Sequence, residues 1–152
     1  MFRATYLTAC VLAVACCGTA PDPEVPLKTD PTATPEYKDA IQELTTRCES
    51  AETLVKARKW EAASDLLQGN QPLVSLLLSV PYPAVAAAEA VSDHEDLYGR
   101  MLLRNKHYGD ARFLFQKTMV RWLSWKPETE ETRRRLAKAQ AWILECDRNL
   151  GR

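Results

Sequence analysis

The 152 residues hold one domain's worth of core, and 46% hydrophobic with 26% charged residues excludes wholesale disorder. The 20 basic and 20 acidic residues cancel, which argues against nucleic acid as the main partner, because counterion release needs a concentrated basic surface. The charges are nevertheless unevenly spread: seven Lys/Arg face only Asp110 between Arg100 and Lys126, while eight acids face Lys28, Lys38 and Arg47 between Asp22 and Glu52. Solvated helix faces account for such runs; the sharper alternative is a basic surface for an acidic partner or anionic lipid.

The chain begins with one cation, Arg3, and then an uncharged run through Tyr6, Leu7, Val11, Leu12 and Val14. Such a run is too short for a permanent span, which needs about 20 apolar residues, so residues 1–15 read as a secretory signal peptide. Leu12-Ala13-Val14-Ala15-Cys16 resembles a bacterial lipobox, which implies that Cys16 is lipidated and becomes the mature N-terminus. Cys17 lacks a small residue before it, and Cys10 leaves too short an apolar region. An ordinary signal peptide cut nearby is the alternative. Two acyl chains suffice for stable anchoring where one does not. Residues 16–35 then form a tether, with Pro21, Pro23, Pro26, Pro31 and Pro35 keeping an apolar-poor segment extended and disordered.

From residue 36 to 152 the spacing turns helical. Ile41, Leu44, Cys48, Ala51 and Val55 share one face, Thr34 and Pro35 supply the start, and the helix is expected to run to about Arg58. Lys59-Trp60-Glu61-Ala62-Ala63 makes a bend, Leu67 follows, and Gly69-Asn70 stops the next helix. Pro72 starts a segment that is apolar nearly all round: Leu73, Val74, Leu76, Leu77, Leu78 and Val80, ended by Pro81-Tyr82-Pro83. A small-residue helix is expected over Ala84–Val91. Ser92-Asp93-His94-Glu95 reads as the capping box of another, whose inner face carries Tyr98, Met101 and Leu102. Lys106-His107-Tyr108-Gly109-Asp110 is a second bend, followed by Ala111, Phe115, Thr118, Met119 and Trp122 at helical spacing. Pro127 opens a last helix with Glu128, Glu130 and Glu131 in its first turn and Leu136, Ala139, Ile143, Cys146 and Leu150 on its buried face; Asn149 to Gly151 ends it.

The two bends match residue for residue. Ala51, Trp60, Ala63 and Leu67 recur 48 positions later as Gly99, Tyr108, Ala111 and Phe115. This pattern resembles the tetratricopeptide repeat, with a small residue in the first helix, an aromatic at the turn, then Ala and a large apolar residue. The resemblance is partial: Glu95 stands where the family has Trp, and 48 exceeds the family's period of about 34 by an insertion within Gly69–Ser92. It implies an all-α fold of antiparallel helical hairpins in a short solenoid, acting as a binding or scaffold module for a protein partner. With the lipobox it implies a lipid-anchored protein on the exported side of a bacterial cell membrane or outer membrane. Similar lipoproteins assist barrel or pilus assembly. The alternative is an envelope structural or enzyme-accessory lipoprotein with no specific peptide groove.

The residues offer little for chemistry. There is no Gly-rich phosphate loop, Cys-x-x-Cys or His-Glu-x-x-His, and two histidines support no catalytic triad, so neither enzyme activity, a cofactor nor a metal is expected. Asp93-His94-Glu95-Asp96 is the densest ligand-bearing run, and it reads as an acidic helix start. Cys48 and Cys146 lie on apolar helix faces, as a disulfide or as two separate buried thiols. The aliphatic segment is either core or part of a partner groove, in which case Leu73, Leu77, Leu78 and Tyr82 would line it.

Overall fold

The computed structural model describes residues 30–152, and these are helical throughout apart from short connections, with no strand among them. Six helices follow one another: α1 (Pro35–Lys56), α2 (Trp60–Gln68), α3 (Gln71–Leu78), α4 (Val85–Arg104), α5 (Tyr108–Ser124) and α6 (Glu130–Leu150). The signal peptide, Cys16 and most of the expected tether lie outside the described residues.

At the end of that tether a 3-10 turn leads into the expected helix start at Thr34 and Pro35. Asp30 accepts the Thr32 amide and hydroxyl at 2.9 and 2.8 Å, which closes a 3-10 turn over Pro31–Ala33. Thr34 then caps α1 by accepting the Tyr37 amide at 3.3 Å, and Pro35 takes the first helical position, where its missing N–H has no intrahelical role. Prolines that would stiffen a loose linker here set the approach to a helix.

Both bends close in the same way. After α1 the Ala57, Arg58 and Lys59 amides donate to Thr53, Val55 and Leu54 carbonyls; after α4 the Asn105, Lys106 and His107 amides donate to Met101, Leu103 and Leu102. This is a Schellman motif, in which a residue in the left-handed region turns the chain back on the last helical carbonyls. Neither bend uses glycine: Arg58 has φ 59° and Lys106 φ 64°. α6 ends with the usual residue, Gly151 at φ 71°.

Two helix starts differ from the sequence reading. α4 is a single helix from Val85 to Arg104, so Ser92 caps nothing; its hydroxyl donates to the Ala88 carbonyl at 2.7 Å. Nothing between Ala84 and Ser92 is a helix breaker, and a capping-box pattern is only a start where the chain before it is not already helical. α6 starts after Pro127, at Glu130, with Thr129 and Thr132 capping each other's amides at 3.1 and 2.8 Å.

The core lies in three clusters along the chain. Tyr37, Leu44 and Cys48 of α1 meet Val74 and Leu77 of α3 and Ala87 and Val91 of α4, with the Tyr37 hydroxyl donating to the Leu77 carbonyl at 3.0 Å. Ala51, Ala63, Leu67, Leu97 and Met101 join α1, α2 and α4, and Ala111, Phe115, Ile143 and Cys146 join α5 and α6. Leu44, Leu67 and Leu77 are wholly buried, each stabilising the fold by roughly 1.5–3 kcal/mol through apolar area removed from water. Helices α4 and α5 run antiparallel, since Ser92, Glu95 and Gly99 meet Arg121, Thr118 and Phe115 in that order. The same ordering holds for α5 and α6, where Arg112 meets Asp147, Phe115 stacks on Trp142, and Trp122 lies under Arg135.

Candidate functional site

The run Ser92–Asp96 falls in the middle of α4, where α5 and α6 cover it. His94 and Glu95 are each 1% exposed, in an interior where a lone charge would be costly. Glu95 is answered from α5: Thr118 donates to it at 2.8 Å, Arg121 at 2.8 Å, and Lys117 lies 3.0 Å from its other oxygen. Burial alone would raise the Glu95 carboxyl, but Arg121 and Lys117 outweigh that and hold it below its ordinary value, so it is a carboxylate. Asp96 is answered from both sides, by Arg100 at 3.0 Å, by Lys138 at 3.1 Å and by the Trp142 indole N–H at 2.9 Å. Asp93 reaches Arg135 at 2.7 Å, and Arg135 also pairs with Glu131 at 2.7 Å. The acidic run is thus the ionic seam by which α4 holds α5 and α6.

His94 points the other way, to α2. Its Nε2 lies 3.0 Å from the Leu67 carbonyl, while Nδ1 has no partner among the described residues. Burial lowers its basicity and the Leu67 carbonyl opposes this only in part, so the ring is neutral and donates from Nε2. No group of three His, Cys, Asp or Glu side chains that could hold a metal ion is found among the described residues.

The basic stretch found in the sequence is largely spent inside the fold. Arg100 serves Asp96, Arg112 reaches Asp147 at 2.6 Å, and Lys117 with Arg121 serve Glu95; Arg104 stacks 3.8 Å over the Trp60 ring. Lys106 and Lys126 alone of the seven are in neither an ion pair nor such a stack among the described residues.

Beside the seam runs a groove of about 230 Å³ between α1 and α4, lined also by Lys138 of α6. Ala90, Leu97 and Cys48 form its floor, and Thr45, Glu49, Glu52, Asp93, Asp96 and Arg100 its walls. Asp93 and Asp96 are already paired, whereas among the described residues Glu49 has no cation within ion-pair distance and Glu52 meets only Lys56, at 3.8 Å. The groove therefore offers a basic group two carboxylates and an apolar floor.

The residues singled out in the sequence separate clearly. Ala51, Ala63, Gly99, Ala111 and Phe115 are buried at the two helix pairs, and the bend aromatics Trp60 and Tyr108 are half-buried. Leu77 is wholly buried and Leu73 and Leu78 pack, partly buried, on the same first cluster, while Tyr82, at 89% exposed, stands apart from them. Cys48 and Cys146 are free thiols in different clusters, the first pushed up to about 12 by burial and so inert as a nucleophile. Glu49, Glu52, Asp93 and Asp96 were not read as groove residues. The signal available was the absence of any helix breaker before Ser92, which makes the acidic run interior to a helix. No family model, curated protein or solved structure matches the chain.

Proposed function

We propose that the chain is a lipid-anchored, exported binding module whose helices form tetratricopeptide-like pairs, and that it engages a protein partner along the α1–α4 groove. The observation that carries the repeat reading is the identical hydrogen bonding of the two bends 48 residues apart, joined to the small-against-large contacts of Ala51 with Leu67's helix and of Gly99 with Phe115. A third helix, α6, caps the second pair as a further first-half helix would. The lipid anchor rests on Leu12–Cys16 in the sequence. The pairing of Asp93 and Asp96 within the fold favours the second reading, a structural or accessory lipoprotein without a specific groove.

Metabolic labelling with a clickable palmitate tests the anchor: label on the parent chain and none on Cys16→Ser is the expected result, and label persisting on a Cys16→Ser/Cys17→Ser chain defeats it. Crosslinking of the membrane-held chain separates the two functional readings. Adducts lost in Glu49→Lys/Glu52→Lys, with helicity unchanged, favour the groove; adducts indifferent to that change favour the accessory role.

A further inference from the structure

One face of α5 is covered by none of the other described residues. Phe113, Val120 and Leu123 project from it at 62%, 58% and 63% exposure. They lie on the side opposite Ala111, Phe115, Thr118 and Trp122, which pack inward, and Met119 and Gln116 fill the space between them. Scattered exposed apolar side chains need no explanation, but three on one helix face do.

Exposed acids stand at the two ends of this face, Asp110 one turn before Phe113 and Glu128 beside Leu123, and between them the charge has one sign. From Ala111 to Pro127 the chain carries Arg112, Lys117, Arg121 and Lys126 and not one acid. Lys117 and Arg121 share the single carboxylate of Glu95, and Lys117 remains 41% exposed beside the Phe113 ring. An aromatic and two aliphatic side chains with Lys117 beside them match the boundary between acyl chains and anionic headgroups, where apolar groups bury shallowly and lysines meet phosphate.

We propose that this face of α5 docks on the surface of the bilayer that holds the chain, against anionic headgroups. The proposal rests on the anchor at Cys16. Thirteen residues, 17–29, separate that cysteine from the described domain, and fully extended they reach at most about 45 Å. A domain confined so close to a membrane meets it at an effective concentration in the millimolar range, so a patch too weak to bind vesicles from solution docks when tethered. Docking of α5 leaves the α1–α4 groove, built on other helices, open for a partner.

The test uses the full-length protein purified from membranes and reconstituted in phosphatidylglycerol-containing vesicles. A benzophenone-bearing phenylalanine analogue is placed at position 113, or at position 49 in the groove as a control, and lipid adducts are read by mass. Position 113 is expected to yield at least about fivefold more lipid adduct than position 49, falling as about 1 M salt shortens the screening length to about 3 Å. Equal, low yields from both positions on chains that float with the vesicles overturn the docking while leaving the anchor standing. Chains that carry no acyl mass and do not float overturn the anchor and the docking together. Adducts from 113 to a second copy of the chain, independent of lipid, assign the face to self-association and also overturn the proposal.

Discussion

Glycine at position 99 exists for the ring it faces. A Cβ built there would lie 2.6 Å from the Phe115 ring, closer than any real contact, whereas the matching site in the first pair holds Ala51 near the smaller Leu67. The two pairs thus solve one packing problem with different partners, Ala with Leu and Gly with Phe. Gly99→Ala gains about 1 kcal/mol of helix propensity but overpacks a buried ring, which typically costs 1–3 kcal/mol, so we expect a net loss of roughly 1 kcal/mol. Phe115→Leu should relieve the clash, giving a double-mutant coupling of about 1–2 kcal/mol in urea melts. Additive effects would mean that the Phe115 ring swings aside without cost.

At the scale of elements, the bends are where the helices are least well served by their residues. Arg58 and Lys106 sit in a left-handed conformation that disfavours any side chain with a Cβ, and neither Lys59 nor His107 supplies a side-chain cap to the helix it precedes. Arg58→Gly and Lys106→Gly should each stabilise the protein by about 0.5–1 kcal/mol, read as a raised urea midpoint with unchanged slope. A loss at either position would show that the long side chain makes a contact worth more than the backbone strain. The bend aromatics belong to the same scale. Trp60 and Tyr108 are half-buried, so their truncation to Ala should fall short of the 3–5 kcal/mol that a fully buried ring commands.

For the molecule as a whole, the buried groups of α4 make stability depend on pH in one direction. His94 has its folded basicity depressed, so its contribution is fully present above its unfolded value of 6.5 and is lost as pH falls below it. Glu95 is likewise depressed, and its contribution is present above 4.5 and lost as pH falls further. Acid should therefore weaken the fold in two stages: first where His94 holds α2 to α4, then where Glu95 holds α5. Thermal melts between pH 7.5 and 4 check this, and His94→Gln should flatten the upper stage alone. A parent protein whose melting is constant from pH 7 to 5.5 would show that His94 protonates without cost. Helices were legible in the sequence because their signals are local: Thr34 and Pro35 start α1, Gly151 ends α6, and the recurrence of small and aromatic residues after 48 positions marks both bends. The interior of the acidic run was not legible, because Ser92–Glu95 has the same local chemistry whether it begins a helix or lies in the middle of one. Its meaning came from Lys117, Arg121 and Lys138, which are 22, 26 and 42 residues away from their partners in the chain and adjacent only after folding. The aliphatic segment shows the same division. Composition alone left Leu73–Val80 either core or part of a groove, and only the packing of α3 against Tyr37 and Val91 decided that Val74 and Leu77 are buried while Leu76 is 46% exposed, because burial depends on what surrounds a side chain and not on the side chain itself.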